Sequence, residues 1–139
     1  MGSVRRWARY GHLAAAWVFV ASVVVQVFLA GMALFGGSPN FKTHVDFGYS
    51  AIWVVAILLP IFALVARLPR RDIGLSFLLL ALYIPQCLLP PIARSGGPAF
   101  IAALHPVNAL LLFTIGVVIS RRAWQSVRPG LQAEAAPLS

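Results

Sequence analysis

Two histidines, His44 and His105, stand out in a chain that is otherwise poor in groups able to do chemistry. An imidazole ligates metals, moves protons near neutral pH and donates or accepts hydrogen bonds, so two of them within reach of each other make a candidate site. His105 and Asn108 are three apart, which puts them on one helix face that continues through Leu112 to Gly116. His44, Gly48 and Ala51 fall at i, i+4 and i+7, where small residues behind a histidine leave room for a flat ring. Gln26 and Gln86 add amides able to hold an imidazole nitrogen from behind. Hydrolytic chemistry finds no support: no serine, histidine and aspartate set, phosphate-cradling glycine loop or carboxylate pair lies inside the apolar stretches. Cys87 is the single cysteine, so no internal disulfide or cysteine-rich zinc site is available, and it reads as a small buried hydrophobe.

Four apolar stretches, 13–35, 47–66, 73–92 and 98–120, must position these residues. Each is about 20 residues long, enough at roughly 1.5 Å per helical residue to cross about 30 Å of hydrocarbon. Backbone polar groups in lipid have only each other as partners, so the stretches are expected to be helices. Turn residues separate them: Gly36-Gly37-Ser38-Pro39, Leu68-Pro69 and Ser95-Gly96-Gly97-Pro98. The expected fold is an all-α integral membrane protein, an up-and-down four-helix bundle filling residues 1–122. Residues 123–139 read as a cytoplasmic tail, partly disordered beyond about Pro129, with Trp124 as an interfacial anchor. Pro60, Pro85, Pro90, Pro91 and Pro106 predict kinks or early helix ends.

The formal net charge is +8, yet only 10% of residues are charged and 60% are hydrophobic. The basic residues flank the apolar stretches and do not stripe a soluble face, which argues against nucleic acid as a partner. Arg5, Arg6, Arg9, Arg67, Arg70, Arg71, Arg121, Arg122 and Arg128 fall at one set of junctions, and only Lys42 and Arg94 at the other. The positive-inside rule then puts both termini in the cytoplasm of a multi-pass protein of the bacterial inner membrane. The first apolar run, at about 20 residues, exceeds the 7–15 of a signal peptide and is expected to be retained. Trp7, Tyr10, Trp17, Tyr49 and Trp53 read as anchors at the headgroups, and His12, among the arginines, as another interfacial residue. No repeat stands out in the sequence, although the first two and last two spans each form an arginine-bounded hairpin.

Polar side chains in hydrocarbon are costly, so Gln26, Gln86, His105 and Asn108 mark either helix contacts or a site. Counted from the arginines, Gln26, Gln86 and His105 all lie at roughly 22–25 Å, in the outer half of the bilayer. On the first span, Ser22, Gln26, Ala30 and Ala33 form a small, mildly polar face. His44 and His105 sit toward the outer ends of parallel helices, and two neutral imidazoles from facing helices are what a low-spin haem iron requires. By the same count His44 stands at about 34 Å, nearly 10 Å above His105, so the two are level only if tilt or a kink removes the offset. The competing reading makes the amides interhelical glue, His44 a loop residue beside Asp46 and His105 a cap.

The stretches His44-Val45-Asp46-Phe47-Gly48-Tyr49 and Leu104-His105-Pro106-Val107-Asn108-Ala109-Leu110-Leu111 resemble the His-x-x-x-Gly and Leu-His-Pro helix starts of small b-type membrane cytochromes, the cytochrome b561-like group. The whole chain also resembles short bacterial four-helix membrane proteins that carry two such histidines. The resemblance implies that His44 and His105 are axial ligands of one haem b near the outer face. Gln26, Gln86, Asn108 and Gly48 would orient or admit it, Lys42 or Arg94 would pair with propionates, and electrons would pass to a quinone or a larger redox complex. A second histidine pair on the cytoplasmic side is lacking, so electron transfer across the membrane through two haems is not implied. The alternative function is a non-catalytic accessory subunit of a larger respiratory or photosynthetic complex, with Phe62, Phe77, Phe100 and Phe113 facing the partner. A transporter is disfavoured because no acidic residue lies within a span.

Overall fold

The computed structural model describes residues 2–36 and 41–135, and all of the regular structure among them is helical. Four helices are long and apolar enough to cross a membrane. Helix α1 is Ser3–Phe35, α2 is Lys42–Val65, α3 is Arg70–Arg94 and α4 is Ala99–Ala135. The chain is therefore helical as far as Ala135, and residues 136–139 of the tail lie outside the described residues. Each helix packs on its sequence neighbours and α4 closes the ring against α1, so α2 and α4 face each other across the bundle. The prolines do not end the helices: Pro60 lies inside α2, and Pro85, Pro90 and Pro91 lie inside α3.

Lipid tails are as apolar as leucine, so packing holds these helices together more than removal from water does. The centre is filled by Phe19, Ile52, Leu59, Leu79 and Leu112, all almost wholly buried, with Ala16, Ala56 and Ala63 letting backbones approach. At Gly116, α4 lies close against α1. A methyl group there would stand 3.1 Å from Val20 and 3.2 Å from Phe19. The outward faces carry Val24, Phe28, Ile57, Phe77 and Leu110, exposed as lipid-facing side chains are.

Helix α3 ends as its glycines demand. Gly96 takes φ 99°, and the Gly97 N–H donates to the Ile92 carbonyl at 3.2 Å, six residues closing on one. Helix α2 ends in the same way without a glycine: Arg67 takes φ 49°, and the Leu68 N–H reaches the Ala63 carbonyl at 3.0 Å. A side chain in the left-handed region costs about 1 kcal/mol that glycine does not. Arg67→Gly is expected to raise the thermal midpoint in detergent, and an unchanged or lower midpoint would show that the arginine side chain offsets this strain.

At the arginine-rich end, Arg122 of α4 pairs with Asp72 at the start of α3. His12, read from its neighbours as interfacial, is buried within the bundle to 2% exposure. The Ser76 hydroxyl donates to the Asp72 carbonyl at 2.9 Å, which leaves its oxygen to accept from His12 Nε2 at 3.1 Å. This bond from α1 to α3 satisfies Nε2, while Nδ1 is buried with no hydrogen-bond partner among the described residues.

Burial recurs with an offset of sixty residues. Ala16, Phe19 and Val23 of α1 correspond to Ser76, Leu79 and Tyr83 of α3. Gly48, Ile52, Ala56, Leu59 and Ala63 of α2 correspond to Asn108, Leu112, Gly116, Ile119 and Ala123 of α4, and all are buried. The two hairpins are thus repeats in packing, related by a quasi-two-fold along the bundle. Composition hides this because apolar side chains exchange freely at such positions.

Candidate functional site

The end of the bundle away from the arginine clusters is where the polar residues collect. Gln26 and Gln86 occupy equivalent places, sixty residues apart, on α1 and α3. Each offers its main-chain carbonyl to a histidine at the start of the following helix. His44 Nδ1 lies 3.1 Å from the Gln26 carbonyl and His105 Nδ1 lies 2.9 Å from the Gln86 carbonyl. A carbonyl only accepts, so both imidazoles carry their proton on Nδ1 and leave the Nε2 lone pair for something else. Their ring centroids are 6.2 Å apart with the planes at 65°, meeting across the bundle from α2 and α4.

The offset of nearly 10 Å expected from residue counting is absent, since the two rings meet, and α2 is not a uniform α-helix. Gly48–Ile52 forms a π-helical turn, which rises less per residue and rotates the first turns of α2 relative to the remainder of the helix. One consequence corrects the expected face. Ile52, and not Ala51, is buried below His44 and Gly48, while Ala51 is exposed. A π-turn also frees main-chain carbonyls, and the Gly48 carbonyl is taken by the Tyr83 hydroxyl at 2.7 Å. Tyr83 is itself wedged between Phe19 and Trp53, with ring centroids at 6.2 and 5.2 Å. Trp53, read as an anchor, packs partly buried against the core. Tyr83→Phe removes that donor and is expected to cost about 1 kcal/mol, read as a lower thermal midpoint. No change would mean that the Gly48 carbonyl finds another donor.

The amides behave unlike one another. Asn108 Nδ2 donates to the Leu82 carbonyl at 2.9 Å and to Gln86 Oε1 at 2.8 Å, and Gln86 Nε2 stands 3.3 Å from His105 Nε2. Gln26 Oε1 is buried and has no hydrogen-bond partner among the described residues. Its Nε2 lies against Gly48, where a methyl group would come within 2.6 Å of it. Gly48 thus makes room for the Gln26 side chain, not for an open space behind His44. Among the described residues, neither the Gln26 nor the Asn108 side chain hydrogen-bonds a histidine ring. It is main-chain carbonyls that orient the imidazoles, a role that residue type could not reveal.

A cavity of about 910 Å³ opens between the helices at this end. His44, His105, Gln26 and Gln86 line it among mostly apolar residues, with Arg94 as its one cationic side chain and no carboxylate among the described lining residues. Lys42 is not part of its wall; it pairs with Asp46 one turn along α2. Tyr49, whose hydroxyl donates to the Cys87 carbonyl at 2.7 Å, and Cys87 itself lie on the same wall. These lining residues were missed from sequence, since neither differs in type from an anchor or a packing residue. The Tyr49 and Tyr83 hydroxyls and both imidazole Nδ1–H groups are spent on main-chain carbonyls, while His44 Nε2 and Gln26 Oε1 remain as acceptors.

Residues 26–93 match the family model DUF6220, a family of unknown function. The match spans just under half of the chain, takes in Gln26, His44, Gly48 and Gln86, and stops before His105 and Asn108. No curated protein and no solved structure matches the chain.

Proposed function

We propose that this multi-pass membrane protein binds a single b-type haem between His44 and His105, near the outer face of a bacterial inner membrane, and passes electrons to a quinone or a larger redox complex. The observation that carries the reading is the pair of imidazoles with Nδ1 tied down, the Nε2 of His44 open and that of His105 met only by the Gln86 amide, 6.2 Å apart on the wall of a large apolar cavity. Two imidazoles sharing one metal, at about 2 Å to each nitrogen, have ring centroids about 6 Å apart. A ring nitrogen held by a hydrogen bond from its far side is the usual support for a metal-ligating histidine.

The donor set argues for a metal that brings its own ring. No group of three or more histidine, cysteine, aspartate or glutamate side chains is placed to hold a metal ion among the described residues. Zinc in a protein site takes four ligands, so two imidazoles alone would leave it unsaturated. An iron already held by four macrocycle nitrogens needs only two more. The acceptor-rich, mostly apolar wall suits such a guest, and Arg94 offers a cation for its carboxylates. When bound, a bis-histidine b haem exchanges one electron between ferric and ferrous iron. For their part, the residues bind it, fix the imidazoles through the Gln26 and Gln86 carbonyls and exclude water with apolar side chains.

Titrating the cofactor-free protein in detergent with haemin tests this. Saturation at one haemin per chain with a low-spin Soret spectrum is expected, whereas a linear, unsaturating rise like that of empty micelles would overturn it.

A further inference from the structure

The quasi-two-fold is broken where it matters. Leu82 presents a carbonyl, which fixes the Asn108 amide with its nitrogen inward. The second N–H of that nitrogen goes to Gln86 Oε1, so the Gln86 nitrogen must be the group facing His105 Nε2. A chain of donors starting from one carbonyl therefore places a hydrogen bond on the lone pair of His105. Sixty residues earlier the position of Asn108 is held by Gly48. With no side chain there to donate, Gln26 Oε1 stays unpartnered and its nitrogen lies over Gly48 instead of over His44. His44 Nε2 has no hydrogen-bond partner among the described residues.

From this asymmetry we infer that Gln86 is a latch on the second ligand and that the site fills in order, His44 first and His105 after the Gln86 amide has swung off its Nε2. The inference rests on the haem reading and adds a sequence of events to it. His105 need not turn when the latch opens, because its Nδ1–H stays on the Gln86 main-chain carbonyl. Gln86 is a positioning residue: its side chain holds the unloaded state and releases a lone pair already aimed. Asn108 acts through Gln86 by setting which end of the amide faces the histidine.

The test is stopped-flow and equilibrium titration of the cofactor-free, full-length protein with haemin. Wild type is expected to give two phases, an early high-spin spectrum with one histidine bound and then a low-spin one. Gln86→Leu has no hydrogen bond to break, so its second phase should be faster and its affinity about three- to tenfold higher. Asn108→Ala, which frees the amide to turn, should move the second phase in the same direction while leaving the first alone. Tighter binding by Gln86→Leu, including binding by that variant where wild type takes up none, supports the latch. Equal affinity and a single shared phase in wild type and Gln86→Leu would overturn the latch and leave the haem site standing. Failure of all three to bind haemin would overturn both.

Discussion

On the proposed haem reading, His105→Ala and His44→Ala are each expected to lose most of the haem that wild type would carry, while His12→Ala keeps it. The three histidines separate cleanly by environment. His44 and His105 line one cavity with their rings 6.2 Å apart, whereas His12 is bound to Ser76 at the arginine-rich end. If the two imidazoles hold haem, either alanine variant would leave the iron a single protein ligand and weaken its retention. His12→Ala instead removes a buried hydrogen bond and leaves a small void, costing about 1–3 kcal/mol of stability without touching the site. Haem per chain by pyridine haemochrome, set beside the thermal midpoint of each variant, checks both halves. Equal haem in all three variants would mean that the imidazole pair does not hold iron.

Phe19→Ala should give the opposite pattern. Phe19 is fully buried at the middle of the bundle, against the ring of Tyr83 and the backbone of Gly116. Truncation leaves a cavity where α1 meets α4, and since lipid is already apolar the loss is one of packing, about 3 kcal/mol. The thermal midpoint in detergent should fall by many degrees, with haem per chain near wild type at low temperature. A small fall would show that the helices close over the gap. Loss of haem without loss of stability would place Phe19 at the site and contradict the separation of core from cavity.

The spans were legible in the sequence because hydrocarbon leaves the backbone no alternative to helix, and arginine at every second junction marked their ends. Ser22 and Ala33 are buried and Gln26 and Ala30 half-buried, as the periodicity of the first span implies. The shared face of His105, Asn108, Leu112 and Gly116 is likewise the inward one. Three things were not legible. The π-turn at Gly48–Ile52, which re-phases α2 and exchanges Ala51 for Ile52, is accompanied by the Tyr83 hydroxyl on the Gly48 carbonyl, a contact between residues thirty-five apart. The support of both histidines comes from main-chain carbonyls, which every residue has. The repeat of sixty is written in burial rather than in residue type, except where Gln26 meets Gln86 and where Gly48 departs from Asn108.

Whether one haem sits between His44 and His105 can be read from the absorption spectrum of the full-length protein, purified in detergent from haem-replete cells, oxidised and then reduced with dithionite, with haem quantified per chain. Reduction is expected to bring up the split α and β bands of a low-spin b haem, at one haem per chain, and the double variant His44→Ala, His105→Ala should lack them. A folded, colourless wild-type protein would contradict the haem site and leave the two imidazoles as hydrogen-bonded ties between helices.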